Sequence, residues 1–206
     1  VATGWSERAA ALGRSQKEME AGFKRIRARL PFPVLGLHMD NGSEFLNHHI
    51  IRCWKEAASG LELMRSRPYD KNDNRFVEQK NDTLVRAYLG KDRFDTSIQC
   101  QKMNHLYDRM WLYYNFFQPV MRLEEKETFL LENGVYKVKH KYDLPQTPFQ
   151  RVCNTKAISQ GRKDELMALR EGTNPRELRR EIYGLLDELL NLAYQDTLVA
   201  NQRLAG

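Results

Sequence analysis

An apolar run that ends in a carboxylate and a turn sets the frame for this chain. It reads Val34-Leu35-Gly36-Leu37-His38-Met39-Asp40-Asn41-Gly42-Ser43-Glu44-Phe45. Residues 34–39 predict a buried strand with Asp40 at its tip, and Asn41-Gly42 makes the turn that follows. Ser43 then caps a helix whose Leu46, Ile50, Cys53, Trp54 and Ala57 share one stripe. A short strand over 61–64 comes next. It leads into Arg67-Pro68-Tyr69-Asp70-Lys71-Asn72-Asp73-Asn74, a polar loop that enters a helix carrying Glu78 in its first turns. Asp40 and Glu78 are thereby expected on the rim of one sheet. Two convergent carboxylates at such a rim suit a hard divalent cation.

The flanking segments extend this pattern. Residues 1–5 read as a hairpin turn whose first strand is missing, and 6–12 as the returning strand. Ser15 and Glu18 form a capping box, after which Met19, Phe23, Ile26 and Leu30 make a helical stripe. Pro31-Phe32-Pro33 ends that helix. In the helix after Asn74, Val77, Leu84 and Tyr88 point to the core, with Glu78 about 100° round from them. Asp95-Thr96-Ser97 starts a long helix to about Phe117 that carries Tyr107, Trp111, Tyr113, Tyr114, Phe116 and Phe117. An aromatic stripe at helical spacing reads as core or subunit interface. Alternating strands and helices predict an α/β sheet covered by helices.

The pieces HMDNGSEF, RSRPYDKNDNRFVEQKN and YYNFFQPVMRL resemble the catalytic core of DDE integrases and transposases, most of all bacterial insertion-sequence transposases. The 38-position separation of Asp40 and Glu78 is close to that family's spacing. The likeness covers roughly the first three-fifths of the chain, with weaker similarity in the tail. It implies an RNase H-like mixed sheet flanked by helices, lacking its first strand, followed by a C-terminal helical tail. It further implies an enzyme, a DDE polynucleotidyl transferase that cleaves and joins DNA strands in integration, transposition and recombination. Asp40 and Glu78 would then be the second and third catalytic acids and the ligands of Mg2+ (or Mn2+). Asn41, Arg67, Asn74 and Lys80 would contact DNA or orient ligands. Transposon ends and target DNA are the implied partners, with a homo-oligomer as the working form and the bacterial cytoplasm, at the nucleoid, as its place. The first acid of such a triad is expected upstream of Val1, so the isolated chain is expected to be weakly active or inactive. The alternative is a non-catalytic DNA-binding or assembly module derived from a transposase.

Composition is consistent with one packed domain and a smaller appendage: 206 residues, 41% of them apolar. No run approaches the ~20 apolar residues that span a bilayer, so no membrane partner is expected. Cys53, Cys100 and Cys153 are scattered, which argues against a disulfide framework or zinc finger and for a reducing compartment. The net charge of +6 is uneven. Residues 1–122 carry 20 Lys/Arg against 14 Asp/Glu, whereas 123–206 carry 13 of each. A basic front suits a phosphate backbone.

The chain divides by pattern into the catalytic core at 1–122, a basic connector at 123–160 and a helical segment at 161–206. Within the connector, Glu132-Asn133-Gly134 reads as a hairpin turn. Lys137, Lys139 and Lys141 would share one strand face, either as phosphate contacts or as lysines guarding an edge. Asn174-Pro175-Arg176-Glu177 is a helix start, followed by a stripe of Leu178, Ile182, Leu185, Leu186, Leu189 and Leu192.

Overall fold

The computed structural model describes residues 2–39, 61–65, 75–130 and 133–205. In chain order the elements are α1 (Gln16–Arg29), β1 (Gly36–Met39), β2 (Glu62–Arg65), α2 (Arg75–Asn81), α3 (Ser97–Phe116), β3 (Leu123–Leu130), β4 (Tyr136–Tyr142), α4 (Pro148–Cys153), α5 (Gln160–Glu171) and α6 (Pro175–Ala205). The architecture is mixed α/β, dominated by helix, with two small sheets among the described residues. These elements form two compact units, each drawn from two stretches of the chain. One combines residues 1–6 with 112–173, the other 7–111 with 174–206.

In the second unit, β1 and β2 run parallel, with Gly36 opposite Glu62 and Met39 opposite Arg65. Leu61 is buried there, and Met19 and Phe23 of α1 pack against it with Val34, Leu37 and Leu63. The stripe anticipated on α1 thus faces the sheet. Ser15 caps that helix by accepting from the Glu18 N–H.

Residues 6–12 form no strand, contrary to the expectation of a returning β-strand. Side chains rather than a neighbouring strand bond its backbone at Arg8 and Ala10. In this unit the Asn104 amide bonds both Ala10 N and Ala10 O at 3.0 Å. Arg29 donates to Arg8 O at 2.6 Å. A carboxamide carries a donor and an acceptor side by side, so it substitutes for one rung of a β-ladder.

Helix α2 continues through a π-helical turn at Asp82–Arg86 into a last α-turn, Ala87–Leu89. The Ala87 N–H reaches back to Asp82 O, the i to i+5 bond of a π-turn. Arg8 Nη1 donates to Leu84 O at 3.4 Å. Leu84 is buried, as the stripe predicted, but the added residue shifts the helical phase between Glu78 and Leu84. The straight 100° count therefore does not hold across this segment.

Helix α3 starts on a Thr96–Gln99 exchange. Thr96 Oγ1 accepts from Gln99 N, and Gln99 Oε1 accepts from Asp95 N and Thr96 N. Its Leu106, Tyr107 and Met110 are core residues of the second unit. Helix α6 begins on Asn174, whose Oδ1 accepts from Arg176 N at 3.0 Å. It buries Leu178, Ile182, Leu186 and Leu189. Within the same unit it folds back on α3 through Lys102–Glu188 (2.6 Å) and Arg109–Glu181 (3.2 Å).

The first unit is built around the end of α3. Phe116 is fully buried, edge-on to Trp5 and stacked on Phe149. Asn115, also buried, bonds Ser6 N and Ser6 O at 2.9 Å each. Helix α4 carries a complete capping box, Thr147 with Gln150, and proline at its start. The sequence pattern predicts a basic connector there and no helix. Of the predicted aromatic stripe, Tyr107 and Phe116 are buried core, while Trp111, Tyr113, Tyr114 and Phe117 are half-buried.

The antiparallel pair β3–β4 also belongs to this unit. Gly134 takes φ +75 at the turn, a conformation that favours glycine.

Candidate functional site

Of the expected acidic pair, Glu78 alone lies among the described residues, on α2. β1 ends at Met39, one residue before Asp40. Asp40 and Asn41, like Arg67 and Asn74, lie outside the described residues. Glu78 is described: it stands exposed near the start of α2, where a carboxylate complements the positive end of the helix. Lys80, on the same short helix, is half-buried. Burial lowers its pKa, and the Arg8 charge lowers it further. A basic group so placed is less available to phosphate than a solvent-facing lysine. Among the described residues no group of three or more His, Cys, Asp or Glu converges on a metal position.

Arg25 and Arg29 of α1 are engaged in ion pairs. Arg29 pairs with Glu7 at 2.9 Å and with Asp108, and Arg25 also pairs with Asp108. Glu7 accepts from the Trp111 indole at 2.5 Å. An open, mainly apolar hollow of about 400 Å³ lies beside this network, lined by Arg8, Met19, Phe23, Val85 and Tyr107 among others.

The three ribbon lysines do share one face of β4. That face is locally neutralised, because Lys141 opposes Glu125 and Lys139 opposes Glu127. The Lys141–Glu125 separation is 3.5 Å.

One polar centre escaped the sequence reading. Asp143 receives a bidentate fork from Arg151, at 2.6 and 3.0 Å, and a further bond from Arg122 Nε at 2.9 Å. Arg122 N adds a fourth donor at 2.7 Å. Arg151 also reaches Val120 O at 2.8 Å and Leu144 O at 3.3 Å. Four donors on one carboxylate tie the base of the β3–β4 ribbon to α4. The only hint in the sequence was a lone acid within a basic stretch, which does not reveal partners 8 and 21 positions away.

The Arg151 hydrogen bonds, with those from Arg122, hold the Asp143 carboxyl well below its ordinary value of 3.8. A carboxyl depressed in the folded state adds stability above the unfolded pKa and loses it as pH falls through the folded one. Asp143→Asn is therefore expected to lower the unfolding temperature at pH 7. The gap to the parent protein should close progressively below about pH 4. Thermal melts at stepped pH measure this. A gap independent of pH would mean that the carboxylate charge is not what holds the ribbon base.

Comparison with known proteins adds one relative. Over 151 residues the chain is 38% identical to an uncharacterized protein, y4rM, of Sinorhizobium fredii (strain NBRC 101917 / NGR234). The match takes in 73% of this chain and 41% of that protein, so the chain spans less than half the length of its relative. No family model matches the chain, and no solved structure matches it. No described helix is long and apolar enough to cross a membrane.

Proposed function

We propose that this chain belongs to the catalytic core of a DDE-type polynucleotidyl transferase, of the integrase and insertion-sequence transposase kind, with an RNase H-like fold. The observation that carries the reading is the pairing of two motifs on suitable elements. A strand of a parallel pair runs to within one residue of Asp40, and Glu78 stands exposed on the helix that follows the second strand. The parallel β1–β2 crossover, with helices before and after it, also supports the reading.

Aspartate and glutamate offer hard oxygen donors, so Asp40 and Glu78 fit Mg2+ or Mn2+ by donor chemistry. When bound, the metal would stabilise charge on the attacking and leaving oxygens of an in-line phosphoryl displacement. The chain's own part is to hold DNA. Asn41, Asn74 and Arg67 would approach the backbone from the two loops, with Lys80 as a weaker contact. Lys139 and Lys141 are left out of that set, since Glu127 and Glu125 face them, while Lys137, opposite Phe129, stays in it. The working form would be a multimer on DNA in the bacterial cytoplasm.

Mn2+ binding followed by electron paramagnetic resonance tests the site directly. The parent chain should bind the ion, and Asp40→Asn or Glu78→Gln should each weaken binding at least about tenfold. Metal-dependent nicking of duplex DNA, where present, should fall to background in both variants. Equal Mn2+ binding by parent and variants would overturn the assignment.

A further inference from the structure

The β3–β4 ribbon has two unlike faces. One carries Glu125, Glu127 and Phe129 opposite Lys141, Lys139 and Lys137. The other presents four cross-strand pairs: Leu130 with Tyr136, Thr128 with Val138, Lys126 with His140, and Leu123 with Tyr142. Every residue of both strands is exposed. On the second face Tyr136 is 70% exposed, Leu130 63%, Tyr142 51%, Leu123 48% and Val138 41%. A two-stranded ribbon is marginal in water unless a face is packed or a further strand is added. Among the described residues this ribbon is tied at its base, by the Asp143 cluster and the Val120–Gln146 bridge.

We propose that the Leu–Tyr–Val face of the ribbon seats the same face of a second copy of this chain. Charge is the first argument. Residues 123–142 hold four Lys and four Glu, so the ribbon has no net charge with which to favour nucleic acid or an anionic membrane surface. Self-complementarity is the second. With a two-fold axis along the ribbon, β3 of one copy lies over β4 of the other. Leu130 then meets Tyr136 of the second copy, Thr128 meets Val138, and Leu123 meets Tyr142. Lys126 meets a histidine, His140, rather than another lysine. Area is the third. Each face offers about 500 Å², taking roughly 150–250 Å² for a large aromatic side chain. Two faces together remove about 1,000 Å² from water, the lower limit for a specific interface. The association is thus expected to be weak, near micromolar.

Sedimentation velocity of the whole chain, from about 1 to 100 µM, tests this. The parent should shift from monomer to dimer across that range. Leu130→Ser/Tyr136→Ser should stay monomeric, at least about 30-fold weaker. Val138→Lys, which sets like charges against the facing copy, should do the same. Glu127→Gln, on the other face, should dimerise like the parent. Far-ultraviolet circular dichroism should show unchanged helix in all of them, since the substituted side chains are exposed in the single chain. A monomeric parent overturns the proposal. So does a dimer that survives both second-face variants. Binding to duplex DNA or to anionic vesicles that those variants abolish, without self-association of the parent, would assign the face to that occupant instead.

Discussion

Phe116→Ala is expected to destabilise the unit formed by residues 1–6 and 112–173 by about 3–5 kcal/mol. Phe116 is completely buried at the end of α3. Its ring meets Trp5 edge-on, at 5.6 Å and 68°, and stacks on Phe149 at 5.3 Å and 20°. Both geometries suit the aromatic quadrupole. Arg170 lies over Phe149 at 5.9 Å and over Phe117 at 5.7 Å, which fixes the far side of the stack. Alanine would leave a cavity walled by elements from three stretches of the chain. The neighbouring Asn115 holds Ser6 by two hydrogen bonds, so the wall cannot simply collapse inward. Urea unfolding followed by tryptophan fluorescence measures the loss. Phe116→Leu, which keeps most of the volume, should recover more than half of it. A cost below about 1 kcal/mol for alanine would mean that the site relaxes freely and that this stack is not the core of the unit.

Glu7→Ala is expected to cost the other unit about 3 kcal/mol. The Glu7 side chain is 6% exposed and that of Arg29 is 16% exposed, so the pair is largely withdrawn from water. Removing the carboxylate leaves Arg29 with Asp108 as its acidic partner and takes the acceptor from the Trp111 indole. The cost lies in a buried charge that loses compensation rather than in the intrinsic strength of the ion pair. Glu7→Gln keeps an acceptor for Trp111 and should lose less. In a double-mutant cycle with Arg29→Met, the second substitution should be milder in the Glu7→Ala background. Purely additive losses would show that the two side chains do not depend on each other.

Local pattern made much of the architecture readable. The stripe of Met19 and Phe23, the cap at Ser15, the start of α6 at Asn174 and the burial of Leu178, Ile182 and Leu189 all follow periodicity and capping chemistry. The glycine turn of the ribbon is of the same kind. Each depends on residues a few positions apart, whose relation the helix or strand repeat dictates.

The motifs HMDNGSEF and VEQKN nominate Asp40 and Glu78 in the same local way. The approach of β1 to Asp40 and the exposure of Glu78 are the parts of that site which the described residues supply. Where Glu78 faces relative to the buried side of its helix was not legible, because the π-turn at Asp82–Arg86 changes the phase without a marker in the sequence.

What the sequence by itself determined is the order and amphipathic sense of the helices, the ribbon turn and the residue types that nominate a metal site. Tertiary structure alone decided how residues 6–12 are held. The turn read at residues 1–5 promised a returning strand, but Asn104 and Asn115 supply backbone partners at Ala10 and Ser6 from side chains distant in sequence. It also decided the fate of charge. Arg25 and Arg29 belong to the basic excess of residues 1–122, and only the fold sets Asp108 and Glu7 against them. Lys139 and Lys141 read either as phosphate contacts or as guards of an edge, and only the register sets Glu127 and Glu125 opposite them. The physical reason is common to all of these. Hydrogen bonding and charge compensation act through space over a few ångströms, and only the folded chain brings together residues separated by as many as 109 positions.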